Sequence, residues 1–397
     1  ANSVYDAAGN PAAAMQASPA NQVRLNDQSP PIISFDAISV LADDFLNAAE
    51  DNTSLVITGD VSGAESGQVV TLTLNSRDYL SSGTGGSNVN SSGDWQVTIP
   101  ADGLQALTDG SAYSIAANVS DQAGNAATEL ETSDFVYDIT PPDVTINQAS
   151  SQRDPTSTNQ VIFDVMLTEP VVGFINTDVD LSSSTAGVSS SVVSISQLEP
   201  TIYMLSVTGM TSDGEVIAGL GAGVFTDLAG NDNNPSTSTD NTVTFDDTPP
   251  AIRTAPSATD TTAIGFTINV ESNETGSVHY VVVADGNGMP TGLQVRAGEN
   301  DGGNLAIASG RIGVGTANTP VQEVVNILEA DTSYEVYLLA EDEAGNLSAV
   351  VRIAGDAKTR PFDTNSSVAR STGTAGETVN IDYSIHQDVD LIVTEGV

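Results

Sequence analysis

The residues of this chain best placed to do chemistry are acids that recur at a domain-sized spacing. The pentad Asp-x-Ala-Gly-Asn occurs four times, as 6–10, 121–125, 227–231 and 342–346. After each of the first three copies comes a Pro-Pro junction carrying its own acid: Asn26-Asp27-Gln28-Ser29-Pro30-Pro31, Asp138-Ile139-Thr140-Pro141-Pro142 and Asp246-Asp247-Thr248-Pro249-Pro250. Carboxylates that meet in one crevice repel unless a cation sits among them. Ca2+ takes about six to eight oxygens from carboxylates, carbonyls and water in flexible geometry, whereas Mg2+ keeps its waters and demands a strict octahedron. With no cysteine and only His279 and His386 as imidazoles, soft-metal sites are excluded. Ca2+ is therefore the expected cofactor.

Composition narrows the setting. The 397 residues carry a formal net charge of -42, from Asp+Glu 52 against Lys+Arg 10, and Lys358 is the only lysine. Such a surface repels nucleic acid and anionic membrane, so neither is a partner. A hydrophobic content of 39% in alternating runs argues for ordered strands over disorder. The lack of cysteine removes a disulfide framework without placing the chain in the cytosol, because bound cations can do the stapling. No apolar run approaches the roughly 18 residues of a membrane span. The chain starts at Ala1 with no visible signal peptide, and it reads as a processed chain or an excised stretch of something longer.

The elements that must position these acids are short strands. Val, Ile, Thr and Tyr alternate with polar residues at 54–59, 69–74, 95–99, 113–120, 161–167, 203–207, 265–270, 279–283 and 334–340, broken by Gly, Asn, Asp and Pro. Helical periodicity is nearly absent, with one turn expected over 102–107. The fold class is all-β, with tandem β-sandwiches joined by short Pro-Pro linkers whose prolines stiffen each hinge. The expected units are 1–29, the last strand of a preceding sandwich; 30–140, 141–248 and 249–361, three complete sandwiches; and 362–397, the start of a further β module.

Particular residues carry a resemblance. The stretches 56–67, Gly93-Asp94-Trp95-Gln96-Val97-Thr98-Ile99-Pro100 and Leu104-Gln105-Ala106-Leu107 resemble bacterial immunoglobulin-like repeats of giant surface adhesins. Glu169-Pro170-Val171-Val172-Gly173-Phe174 and 223–231 look like a sister repeat type, as do residues 1–28. Residues 328–337 resemble a fibronectin type III-like module. The resemblance implies immunoglobulin-like and fibronectin type III-like sandwiches in an extracellular or cell-surface protein.

In such a sandwich, the start of the first strand, the end of the second and the last hairpin turn lie at one pole. The pentad sits in that turn. Three acids should therefore converge at each junction. The candidates are Asp27, Asp60 or Glu65, and Asp121 at the first; Asp138 or Asp143, Glu169 and Asp227 at the second; and Asp246 or Asp247, Glu271 or Glu274, and Asp342 at the third. The competing explanation is a plain turn, with Gly supplying a positive φ and the Asp bonding its own loop.

Other residues offer less. His279 lies in an apolar alternation without a partner acid or nucleophile in view, and reads as structural. Trp95 is the sole tryptophan and is expected to pack within a strand. The glycines of 309–315 precede no helix, so a phosphate-cradling loop is unsupported. The serine-rich runs 81–92 and 182–191 read as loops or edges. No catalytic constellation is present.

The leading expectation is a non-enzymatic segment of an extracellular adhesin stalk or surface fibre, stiffened by Ca2+ at its junctions. Its partners would be neighbouring domains of the same longer chain or like subunits, with a surface or carbohydrate ligand open. The alternatives are a filament subunit that donates the strand at 22–26 to a neighbour, and accessory modules of a secreted polysaccharide-active enzyme.

Overall fold

The computed structural model describes residues 27–362, apart from 133 and 189–191. The first pentad copy, the expected strand at 22–26 and the β module expected after 362 lie outside the described residues. Strand Leu55–Ser62 alternates buried and outward positions residue by residue, and Gln160–Leu167 does the same. That period of two puts one set of side chains into a core and the other toward solvent.

The fold is a series of β-sandwiches with separate cores. In the first, Ile32–Phe35, Leu55–Ser62 and Asp94–Ile99 form one antiparallel sheet. The facing sheet runs Arg77–Leu80, Val70–Leu74, Ala116–Val119 and Leu130–Glu131. Phe45–Leu46 pairs in parallel with the closing strand Phe135–Tyr137, whose other edge meets Ser111–Tyr113. The core gathers Ile57, Leu72, Trp95, Val97, Leu104 and Phe135.

The second sandwich sets Val144–Gln148, Gln160–Leu167, Ile202–Thr208 and Val193–Glu199 against short paired strands, including Gly214–Ile217 with the closing Thr242–Phe245. Phe163, Leu205, Val216 and Phe245 pack between them. The third faces Ser257–Thr259, Phe266–Val270 and Val321–Val325 with a larger sheet built on Gly276–Ala284 and Ser333–Asp342.

Strand Ser333–Asp342 departs from alternation, being buried on both faces. The cause is a helix the sequence periodicity did not announce, Gly292–Ala297. It is capped by the reciprocal Thr291–Gln294 pair and closed by Gly298 in the left-handed region. Its Val295 joins Val281, Val283, Tyr337 and Leu339 in a small core on the outer face of that sheet. The turn expected over 102–107 is the short helix Ala101–Leu104. Gly310 belongs to strand Ala308–Val314, where a Cβ would lie 2.7 Å from the Tyr280 ring, so that glycine makes room for packing. Trp95 is buried, edge-on to Phe35. His279 pairs with Glu341 at 2.7 Å, and Arg296 holds the other oxygen of that carboxylate.

Candidate cation sites at the junctions

Each described pentad closes the same turn. The Asp N–H donates to the Asn carbonyl at 3.1, 3.1 and 3.2 Å in the three copies. The Asn N–H returns to the Asp Oδ1 at 2.9, 2.8 and 2.8 Å, and the Asn Nδ2 donates to the Asp Oδ2 at 2.8, 2.9 and 2.9 Å. The glycines take φ of 91°, 91° and 95°, a region that disfavours a Cβ. Asp121, Asp227 and Asp342 are thereby fixed and buried. A carboxylate has about four lone-pair sites, so each keeps some acceptor capacity beyond its own turn.

The same asparagines also reach the linker. Asn125, Asn231 and Asn346 donate from Nδ2 to the backbone carbonyls of Asp27, Asp138 and Asp246 at 3.0, 2.9 and 2.7 Å. These three linker acids are structurally equivalent: the Oδ1 of each accepts from the N–H two residues on, at 3.0, 3.1 and 3.1 Å. The pentad turn also seats on the preceding sandwich. At the second junction Asn47 Nδ2 donates to the Ala229 carbonyl at 2.8 Å, and the Ala48 N–H donates to Asn231 Oδ1 at 3.0 Å. At the third, Arg153 donates to the Glu343 carbonyl at 2.5 Å and Ser157 Oγ to the Ala344 carbonyl at 3.2 Å.

Acids from linker, strand end and pentad come together twice. One carboxylate oxygen from each of Asp138, Glu169 and Asp227 lies within 4.8 Å of the others, and Asp246, Glu274 and Asp342 repeat the arrangement at the next junction. Glu169 follows strand Gln160–Leu167, and Glu274 follows Phe266–Val270. The Oε2 of Glu274 is buried without a hydrogen-bond partner among the described residues.

The remaining candidates sit elsewhere. Glu274, and not Glu271, enters the third-junction set; Glu271 offers its backbone carbonyl to the Arg253 N–H. Asp143 accepts from Asn234 Nδ2 at 2.8 Å, and the N–H of Asp247 is held by Asp213. Asp60 faces Asp94 across paired strands of the first sandwich and enters no close carboxylate set among the described residues. At the first junction Glu65 accepts from the Gln122 N–H of the pentad turn at 2.9 Å. Asp27, Glu65 and Asp121 nevertheless do not form a close carboxylate set among the described residues. One further acidic group, Asp285, Glu335 and Asp356, is bridged by Arg352, which binds Glu335 and Asp356 at 2.8 and 2.9 Å.

The electrostatics follow from crowding. Burial first, then the charges of Asp138 and Asp227, push the Glu169 carboxyl up to about 7. Glu274 is raised by burial and by Asp246 and Asp342. The linker acids Asp138 and Asp246 are raised too, by burial first and then by their pentad partners. Asp121 moves the other way, because hydrogen bonds from Asn125 hold it below the usual carboxylate range. Like charges forced together with raised protonation are what a divalent cation relieves. An all-oxygen set of carboxylates and carbonyls suits Ca2+.

Sequence reasoning missed two features. The pentad Asn is an inter-sandwich residue as well as a turn former. Asp109 and Asp213 stand beside the clusters and hold the linkers; the sequence signals were a Thr preceding Pro-Pro in both linkers, Thr140 and Thr248, and an Asp-Gly step at 109–110 and 213–214.

No protein-family model and no curated protein matches the chain. Among solved structures it is similar to one concerned with host cell surface retention of a 1.5-MDa bacterial ice-binding adhesin. The identity is 18%, with 84% of this chain and 100% of that one covered, at a TM-score of 0.39. A bacterial immunoglobulin-like domain from the M. primoryensis ice-binding adhesin is 24% identical over 28% of this chain and 99% of that one, at 0.20. The Clostridium thermocellum CbhA fibronectin(III)-like modules are 10% identical over 54% of this chain and 94% of theirs, at 0.24. These scores are low, and the fold rests on the strands described above. The all-β structure fits immunoglobulin-like and fibronectin type III-like repeats.

Proposed function

We propose that this chain is a non-enzymatic structural segment of an extracellular surface protein, such as an adhesin stalk or fibre, whose junctions bind Ca2+. The observation that carries this reading is the duplicated cluster. Linker, strand end and pentad supply Asp138, Glu169 and Asp227 at one junction and Asp246, Glu274 and Asp342 at the next. A cation there ties the linker to the following sandwich, and the same tie repeats along the array. Modules that interact through nearest-neighbour interfaces give a surface protein reach without a single large core.

The test is calorimetric titration of the full chain with CaCl2 after chelation. Uptake with Kd of about 10⁻⁴–10⁻³ M is expected, as for extracellular modules. Glu169→Gln should weaken the second-junction event by about ten-fold or more, since affinity follows ligand charge count. An unchanged isotherm for Glu169→Gln, or no uptake by the parent chain, refutes the site.

A further inference from the structure

Between two sandwiches the chain has to pass from the last strand of one to the first strand of the next, and every polar group on the way needs a partner or water. At the second junction the ladder of the closing strand ends where the Asp138 N–H donates to the Leu46 carbonyl at 3.1 Å. The next groups leave the sheet. The Ile139 N–H donates to Asp109 Oδ1 at 2.9 Å, and Thr140 Oγ1 donates to Asp109 Oδ2 at 2.5 Å. Pro141 and Pro142 follow, with no N–H to give.

The third junction repeats this with a different residue in the middle. The Asp246 N–H donates to the Thr156 carbonyl at 3.0 Å. The Asp247 N–H and Thr248 Oγ1 then donate to Asp213 at 2.9 and 2.5 Å, ahead of Pro249 and Pro250. In both cases the acid precedes a glycine that leads into the strand paired with the closing strand: Gly110 before Ser111–Tyr113, and Gly214 at the start of Gly214–Ile217. One carboxylate thus extends the anchored part of the linker by two residues, up to the Pro-Pro pair. Those hydrogen bonds, from the Thr hydroxyl first and the backbone N–H next, hold both acids below the usual carboxylate range.

The two sides of the linker are therefore held differently. The following sandwich holds it through the carboxylate cluster and the pentad Asn. The preceding sandwich holds it, beyond the end of its sheet, through one Asp. We propose that Asp109 and Asp213 are the positioning residues that transmit the clamp of the second and third junctions to the preceding sandwich, so that a cation bound on the far side of the linker restrains the joint through the linker as well as through the seating of the pentad turn. This deepens the calcium reading and rests on it for the effect of the cation, while the latch itself needs no metal.

The experiment uses the full chain, whose lack of cysteine allows a spin-label pair at Ser82→Cys and Ser196→Cys, both exposed, one in each of the first two sandwiches. Distance distributions are recorded by pulsed electron resonance in chelator and in excess CaCl2, alongside calcium titration and thermal melting. In the parent, calcium should narrow the distribution. Asp109→Ala should broaden it in both conditions and reduce the narrowing, with the direct seating of the pentad turn on Asn47 and Ala48 left in place, while calcium uptake stays within about three-fold of the parent, because Asp138, Glu169 and Asp227 remain; coupled losses of the ligand type are about 10–100-fold. Asp109→Asn, whose amide can still accept from the Ile139 N–H and bond Thr140, should restore the narrow distribution. Thr140→Val should give an intermediate width.

If Asp109→Ala matches the parent in both conditions, the latch is refuted. If Asp109→Asn is as impaired as Asp109→Ala, or uptake falls ten-fold or more in both, Asp109 acts through its charge and the positioning role is refuted. A parent chain that binds no calcium, with Asp109→Ala still broader than it, refutes the cation reading and leaves the latch standing. Asp109 is exposed, so melting of the first sandwich reports whether a variant has simply unfolded.

Discussion

Glu169 concentrates the conflict at the second junction, since it is half-buried against two other acids with its carboxyl pushed up from 4.5 to about 7. A carboxyl whose pKa is raised on folding contributes stability that is complete below its unfolded value and is lost as pH rises through the folded value. In chelator, the second sandwich should therefore melt at progressively lower temperature as pH rises from about 4.5 to 8. Calcium acts oppositely, because it requires the ionised form, so its affinity should fall as pH drops below about 7. Glu169→Gln should flatten both dependences, and a melting profile across this range with and without calcium checks them. Parallel pH profiles for variant and parent would show that the raised carboxyl is not linked to folding. Asp227 and Glu169 were both legible as candidates from their types and positions. Choosing Glu274 over Glu271 was not, because three residues of a loop after a strand decide which side chain turns inward, and no periodicity governs a loop.

At the scale of the element, the pentad turn is a backbone object and a contact surface at once. Gly124 and Gly230 share a φ of 91°, yet a Cβ on Gly124 meets nothing within 4 Å, whereas one on Gly230 lies 3.2 Å from Asn47 Nδ2 of the preceding sandwich. Gly124→Ala should cost the conformational term alone, about 1–2 kcal/mol. That lowers the melting temperature of a sandwich of this size by several degrees, roughly 4–8 °C per kcal/mol. Gly230→Ala should add a displaced inter-sandwich contact, visible as a change in the amide resonances of Asn47 and Ala48 that Gly124→Ala does not produce. Identical spectra at those amides would mean the turn does not seat there. The strands themselves were largely legible, since alternation in 55–62 and 160–167 maps directly onto burial. The helix Gly292–Ala297 was not, because six residues are too few for a helical period to emerge. Its signal lay in the Thr291 cap and the Gly298 stop.

Across the whole molecule, a charge of -42 must be carried by units that meet end to end. Repulsion between exposed charges is screened over about 10 Å at 0.1 M salt. Raising monovalent salt should therefore compact the chain modestly without replacing a cation bound within a half-buried cluster. Small-angle scattering in chelator, in chelator with 0.5 M NaCl (roughly a 4 Å screening length), and in CaCl2 separates the two effects. Calcium alone should give the narrowest distribution of dimensions, and equal profiles in salt and calcium would reduce its role to general screening.

The sequence by itself determined that the chain is an all-β array, where its turns fall and which acids belong to its linkers and pentads, because these depend on local composition, strand period and the backbone demands of Gly and Pro. Only the tertiary structure decided which acids meet. Asp138, Glu169 and Asp227 come from a linker, a strand end and a hairpin, so their approach depends on register and strand pairing across a sandwich. The same holds for Asp109 and Asn231, whose hydrogen bonds to the linker span 31 and 93 residues of chain. Nothing in their immediate sequence distinguishes them from an ordinary turn residue until the sheet brings the linker alongside.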